Sequence, residues 1–83
     1  MAVSLGIGGP GAERLRALRL LAGSPLGCTE AIMLAHGFTF EMLGRLVLGG
    51  LATATPGTVQ AGGRPVKVTW LRITDLGREA LAG

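Results

Sequence analysis

The stretch HGFTFEMLGRLVLGGLA, residues 36 to 52, contains signals for the beginning, the buried side and the end of one helix. Gly37 suits a turn, because glycine adopts positive φ without a steric penalty, and Thr39 is a favoured N-cap. Gly49-Gly50 permits the left-handed residue that commonly ends a helix. Four apolar side chains cluster within about a third of the helical wheel, namely Phe40, Leu43, Leu46 and Val47. The stretch therefore predicts an amphipathic helix with defined ends.

The other side of this predicted helix carries little charge. Phe38 precedes the cap and is positioned to pack against Leu43, a contact that fixes the entry angle of the chain. Glu41 and Arg45 are four residues apart, so they are expected to pair on the helix surface for about 0.3 to 0.5 kcal/mol. The outward set is Glu41, Met42, Arg45, Leu48 and Gly49. It offers one cation, and that cation has a neighbouring acid.

Two more helices are predicted before this stretch, over residues 12 to 22 and 30 to 36. Leu20 lies off the core side of the first, which comprises Leu15, Leu18, Leu21 and Ala22. In the second, Thr29 is the expected N-cap and Leu34 faces outward. Its core side has Ile32, together with Ala35 or Met33 according to the roll of the helix.

Two segments rich in β-branched residues follow, LATATPGTVQ in residues 51 to 60 and RPVKVTWLRIT in residues 64 to 74. A two-residue turn at Gly62-Gly63 predicts a hairpin in which Ala52 pairs with Ile73. Pro56-Gly57 predicts that the first strand lies at an edge and contains a bulge. One face would carry Val59, Val66, Val68 and Trp70, and the other Ala52, Ala54, Leu71 and Ile73. Three small helices cannot easily cover both faces.

Residues 71 to 81 read LRITDLGREAL, in which Thr74 is the expected cap of a closing helix. The segment resembles the second wing strand and following helix of the winged helix-turn-helix family of bacterial transcription regulators, whose pattern is Leu-Thr-x-x-Gly-x-x-x-Leu, with Ile73 here for the first leucine. Residues 44 to 54, GRLVLGGLATA, are similar to that family's recognition helix and first wing strand. The resemblance covers about residues 12 to 82. It implies an α+β winged-helix fold, with a three-helix core, a two-stranded β-hairpin wing and a C-terminal helix.

The resemblance also implies DNA binding, with the third helix in the major groove and the wing on phosphates or the minor groove. By position, the groove-facing residues would be Phe38, Thr39, Glu41, Met42 and Arg45. The wing contacts would be Arg64 and Lys67. Family members usually offer several Arg and amide side chains on this helix, because phosphate neutralisation dominates affinity. Here Glu41 repels phosphate and Met42 offers no hydrogen-bond donor.

Chain length sets the size of the domain, and composition sets the character of its surface. The chain has 83 residues, which suit one domain. Residues 1 to 11 are Gly-rich and are expected to form a flexible tail, so the domain comprises residues 12 to 83. Charged residues make up 16%, against about 25% in an average soluble domain. An apolar surface of this kind favours a homodimer or protein partner, with the interface predicted at Leu20, Leu34, Leu48, Val68 and Trp70.

Signals for catalysis, metal binding and membrane insertion are weak. Cys28 is the only cysteine and His36 the only histidine, which leaves zinc without a ligand set and gives His36 a partly buried structural role. No apolar run approaches the roughly 20 residues of a membrane-spanning helix, and the glycine-broken start is a poor secretion signal. The expectations are therefore a cytoplasmic protein that is not an enzyme, with no metal, no cofactor and no evident small-molecule substrate.

Two functional hypotheses remain. The net charge of +3 permits nucleic-acid binding without requiring it. The first hypothesis is a DNA-binding transcription regulator in which Thr39, Met42 and Arg45 enter the major groove of double-stranded DNA, while Arg64 and Lys67 hold the backbone. The second is a winged-helix module for protein interaction or dimerisation that binds no DNA.

Overall fold

A computed structural model describes residues 10 to 82 of the chain. That part has an α+β fold of four helices and one three-stranded antiparallel sheet. In chain order the elements are α1 (Pro10–Ala22), β1 (Cys28–Thr29), α2 (Glu30–Ala35), α3 (Phe40–Leu48), β2 (Ala52–Ala61), β3 (Arg64–Ile73) and α4 (Asp75–Ala82). Among these residues, no helix has the length and hydropathy needed to cross a membrane.

The first helix begins earlier than the composition suggested. Pro10 and Gly11 belong to α1, although both were expected to lie in the tail. Proline is well tolerated in the first turn of a helix, since its missing N–H would have no partner there. The expectation of a flexible tail over residues 1 to 9 lies outside the described residues.

Threonine side chains begin three of the helices, as predicted. The Oγ1 atom of Thr29 accepts a hydrogen bond from the amide of Ile32 at 3.3 Å, and that of Thr39 accepts one from Met42 at 3.1 Å. Thr74 Oγ1 accepts from the amide of Gly77 at 3.0 Å and donates to the carbonyl of Gly50 at 2.6 Å. The cap of α4 is therefore also a tie to the end of α3.

The core lies between the helices and one face of the sheet. Its largest fully buried side chains are Leu18, Leu21, Met33 and Leu46, so each of the first three helices contributes. The sheet adds Cys28, Ala52 and Leu71. Only ten apolar residues are buried among those described, so each accounts for a substantial share of the stability of so small a domain.

Several predicted orientations are wrong. In α2 Met33 is buried, which was one of the two alternatives for the core side, but Ile32 was expected there and is 46% exposed. The pairing of Thr29 with Trp70 sets this roll, because it fixes the residue from which α2 starts. Leu20 and Leu34 were expected off the core, yet both are half-buried and pack against it.

At the start of α3 Phe38 is buried with Leu43, in agreement with the packing expected from its place before the cap, whereas Phe40 departs from expectation. Phe38 is 5% exposed and belongs to the core, so it does not face outward as a groove residue. Phe40, placed on the buried side by its spacing, is 63% exposed. The residue before the cap fills the core at this end of the helix, which leaves Phe40 on the rim.

The hairpin has the predicted register. Ala52 pairs with Ile73 at one end, and Ala61 with Arg64 at the other. Gly62 and Gly63 form the turn with φ values of 60° and 80°, as a two-residue hairpin turn requires. The two faces therefore have the predicted composition, and the one with Ala52 and Leu71 faces the core.

The predicted bulge at Pro56-Gly57 is wrong, although β2 is an edge strand as expected. Residues flanking a two-residue turn exchange hydrogen bonds, and the pairs then alternate along the ladder. By that alternation Pro56 and Pro65 both belong to pairs without mutual hydrogen bonds, so neither interrupts the ladder. A Cβ on Gly57 would lie 2.6 Å from Cδ1 of Trp70, so the glycine makes room for the indole within a regular strand.

A third strand, β1, was not predicted. Cys28 and Thr29 pair with Leu71 and Trp70 and place β3 in the centre of the sheet. Two residues are too few to show a strand pattern in a sequence. The side chain of Arg72 supports this corner, since its Nε donates to the carbonyl of Leu26 at 3.3 Å.

Candidate functional site

The outer surface of α3 is close to neutral. The Nη2 atom of Arg45 lies 3.8 Å from Oε1 of Glu41, so the predicted pair forms. Both side chains are largely exposed, at 70% and 79%, so solvent screens the pair and it contributes only a few tenths of a kcal/mol. Arg45 is therefore held loosely, and a stronger anionic partner can replace Glu41.

The other two helix residues predicted for DNA occupy different environments. Thr39 is exposed, and as the cap its hydroxyl accepts the Met42 amide, which leaves the hydroxyl hydrogen available to donate. Met42 is half-buried and packs against the core. Of the three predicted residues, only Thr39 and Arg45 present a polar group outward.

The hairpin tip presents two exposed cations. Arg64 adjoins the turn and Lys67 lies opposite Thr58, three residues further along β3. Because side chains alternate along a strand, the two project from opposite faces of the ribbon. Neither forms an ion pair with a described side chain. The tip is therefore cationic on both faces.

The charge of the chain is divided unevenly between the hairpin and the remainder. The hairpin from Ala52 to Ile73 contains three basic residues, Arg64, Lys67 and Arg72, and no acid. The remainder contains the other five basic residues and all five acids, so its formal charge is zero. The whole net charge of +3 thus belongs to the hairpin. Ten-residue strands extend roughly 33 Å, which carries the charged tip away from the core.

An apolar groove lies between α3 and the core-facing side of the hairpin. This α3–hairpin groove has a volume of about 340 Å³ and is lined by Phe40, Leu43, Val47, Leu48, Ala54 and Leu71, with Glu30 as its one charged lining residue. Leu48, at 89% exposed, and Phe40 are open to solvent beside it. Phe40 was missed as a surface residue because its helical spacing matches the buried side.

The residues predicted as an interface do not form one surface. Leu48 lies on α3. Val68 and Trp70 are half-buried on the face of the sheet that points away from the core, where the indole of Trp70 lies against Gly57. Leu20 and Leu34 contribute to the core. The exposed apolar surface on the α3 side is therefore Leu48 with Phe40.

A larger cleft lies on the other flank of α3, facing the first turn of α1. This α1–α3 cleft has a volume of about 800 Å³, and its lining includes Arg14, Thr39, Met42, Arg45, Leu46 and Leu51. Three of these, Thr39, Met42 and Arg45, are the helix residues predicted to contact DNA. The sequence contained no signal for this cleft, because α1 and α3 meet only through tertiary packing.

The titratable groups with catalytic potential are dispersed. Cys28 is buried, and its Sγ donates to Ser24 Oγ at 3.2 Å. His36 is exposed, in contrast to the partly buried position expected for it. Within residues 10 to 82, no three His, Cys, Asp or Glu side chains converge as metal ligands would.

Comparison with protein-family models, curated proteins and solved structures finds no significant match to this chain.

Proposed function

We propose that the protein is a small winged-helix DNA-binding protein of the transcription-regulator class, acting in the cytoplasm without a cofactor or catalytic activity. In this proposal the hairpin is the wing and α3 is the helix that approaches the major groove. Thr39, Met42 and Arg45 contact the groove, and Arg64 and Lys67 contact the phosphate backbone.

The confinement of the net charge of +3 to the hairpin carries this proposal. Phosphate neutralisation supplies most of the affinity of DNA-binding proteins, and it requires cations that are not already paired. Arg64 and Lys67 meet that requirement at an exposed tip. The hairpin then supplies the ionic attraction to DNA, and α3 supplies the shape that fits the major groove.

On α3 the proposal needs Arg45 to exchange partners. Its pair with Glu41 is long and exposed, so a phosphate or a guanine edge competes on favourable terms. Glu41 then remains beside the DNA as a repulsive charge. The resulting binding is expected to be weak and strongly dependent on salt.

Fluorescence anisotropy with a labelled duplex of about two helical turns at low salt tests the proposal. Binding should weaken steeply as salt rises. The double variant Arg64→Ala, Lys67→Ala should bind roughly tenfold or more weakly, and its slope of log affinity against log salt should be smaller by about 2.

The matched control is Arg19→Ala, Arg78→Ala, which removes the same charge from exposed positions on α1 and α4. It should retain most of the affinity. Absence of binding at tens of micromolar protein, or equal losses for the two double variants, would contradict the proposal.

A second candidate function, self-association as a homodimer, is favoured by the α3–hairpin groove. Leu48 and Phe40 are exposed beside an apolar depression, and large apolar side chains next to a pocket are typical interface anchors. The adjacent Glu41–Arg45 pair is neutral, so a second copy meets no net repulsion there.

Sedimentation velocity over a range of protein concentrations tests the dimer. Leu48→Glu should convert it to a monomer, whereas Leu26→Glu should leave it unchanged, since Leu26 is comparably exposed at 77% and does not line the groove. A monomeric mass for the unmodified chain at every concentration would exclude a stable homodimer.

A further inference from the structure

We infer that the α1–α3 cleft is a binding site for a small apolar monocarboxylate, and that its ligand competes with DNA for α3. The competition, but not the ligand binding itself, rests on the proposed function. The site is formed by residues of the first turn of α1, the start of α3 and the segment after it.

The cleft has the size and the floor of a small-molecule site. Its volume of about 800 Å³ falls within the roughly 300 to 1,000 Å³ of ligand pockets. Phe38 and Leu46 form the buried floor, and Met42 and Leu51 are half-buried beside them. Such a floor favours a ligand with an apolar body, because water released from these side chains drives its burial.

The rim determines the charge of the ligand. Arg14 and Arg45 both line the cleft. Arg14 is exposed and forms no ion pair with a described side chain. Glu13 also lines the cleft, but Arg16 already neutralises its carboxylate. Arg14 thus remains to bind an anion, and Arg45 can join it by leaving its exposed pair with Glu41. Both guanidinium groups disfavour a cationic ligand.

A carboxylate suits this rim better than a phosphate. Guanidinium binds a carboxylate through two parallel hydrogen bonds, and the Thr39 hydroxyl can donate a third. Glu41 loses its partner when Arg45 binds the ligand, and its carboxylate then opposes a doubly charged group more than a singly charged one. One negative charge on an aromatic or branched apolar body therefore matches the rim and the floor together.

The position of the cleft connects the ligand to DNA binding. Thr39, Met42 and Arg45 line the cleft and are also the proposed groove contacts. Arg45 is the only cation on α3, so a carboxylate bound to it leaves this helix without a cation to contact DNA. The ligand and DNA should therefore bind in competition, with the ligand lowering DNA affinity.

The test uses 2-naphthoate as the probe and 2-naphthamide as a neutral probe of the same shape. In NMR titrations of the ¹⁵N-labelled full chain, 2-naphthoate should shift the amides of Thr39, Met42 and Gly49 in a saturable manner. A ligand of this size should bind with a Kd on the order of 1 mM. The amide should bind at least about fivefold more weakly, since it lacks the charge that the arginines recognise.

Arg14→Gln should weaken 2-naphthoate binding by about five- to tenfold. Arg19→Gln is the matched control, an exposed arginine of the same helix outside the cleft. Equal binding of the two probes, equal effects of the two variants, or shifts confined to the α3–hairpin groove would overturn the inference.

A second measurement separates this inference from the proposed function. Anisotropy of labelled duplex with added 2-naphthoate should show a rise in the apparent Kd for DNA, and 2-naphthamide should have a smaller effect. If the protein binds no DNA, the proposed function fails while the NMR titration still decides the ligand site. If DNA binds but 2-naphthoate does not displace it, the competition is refuted.

Discussion

Helix α3 and the hairpin are neighbours in the chain, yet they differ in what their side chains do. The buried side chains of α3, its threonine cap and its glycine stop all serve folding, and its exposed surface has one paired cation. Most side chains of the hairpin are exposed, and they carry the whole net charge. A helix with the outline of a DNA-reading element can thus owe that outline to packing alone, while the chemistry for an anionic partner lies on the adjacent ribbon.

The largest expected effect is a difference between the two regions in how much a substitution lowers the free energy of unfolding. Leu46→Ala empties a fully buried position on α3 and should lower the free energy of unfolding by about 2 to 5 kcal/mol. Val66→Ala, on the exposed part of the hairpin, should cost less than about 1 kcal/mol. Urea denaturation measures both. Comparable losses of unfolding free energy would show that the hairpin is as tightly packed as α3, which would contradict the difference between the two regions.

A second pair of substitutions tests the junction between the two regions. A Cβ on buried Gly77 would collide with the carbonyl oxygen of Leu51 and with Ile73, whereas a Cβ on Gly44 of α3 meets open space. Gly77→Ala should therefore destabilise by about 1 to 3 kcal/mol or more. Gly44→Ala should stabilise by about 0.5 to 1 kcal/mol through helix propensity. Thermal unfolding of the two variants should shift in opposite directions.

The next prediction compares how much the hairpin tip and α3 each contribute to DNA affinity. Arg64→Ala and Arg45→Ala remove the same charge from the hairpin tip and from α3. Arg64→Ala should weaken duplex binding by roughly five- to tenfold, and Arg45→Ala by less, since Arg45 must leave Glu41 to bind. A larger loss for Arg45→Ala in anisotropy measurements would assign the main contact to the helix.

The smallest expected effect concerns Glu41. Glu41→Gln removes a repulsive charge from α3 and breaks the pair with Arg45, so DNA affinity should rise by about two- to threefold. The free energy of unfolding should fall by only about 0.3 to 0.5 kcal/mol. Unchanged or weaker binding by the glutamine variant would mean that α3 does not approach the phosphates.

Local patterns predicted a large part of this fold. Threonine caps, glycine stops and the Gly62-Gly63 turn each depend on residues close in sequence, and each forms as expected. The hairpin register followed from the turn, because strand pairing propagates from it two residues at a time. The same turn places Arg64 at the tip of the hairpin, whereas the wing contacts of Arg64 and Lys67 are what the family resemblance implies.

The errors share a physical cause, which is contact between segments distant in sequence. The strand β1 and the roll of α2 both depend on pairing with β3, some forty residues away. The exposure of Phe40 depends on which ring fits the core at this end of α3. Periodicity reports a preferred side of a helix, but it does not report which neighbour that side will meet.

The sequence by itself determined the order of the four helices and the hairpin, their caps and turns, and the excess of basic residues between residues 52 and 73, since these are properties of local chain chemistry. The tertiary structure decided what no local pattern contains: the exposure of Phe40, the α3–hairpin groove and the α1–α3 cleft. Those surfaces arise where separate segments meet, because their shape is set by the packing of both partners. The candidate ligand and partner sites of this protein lie where such segments pack together.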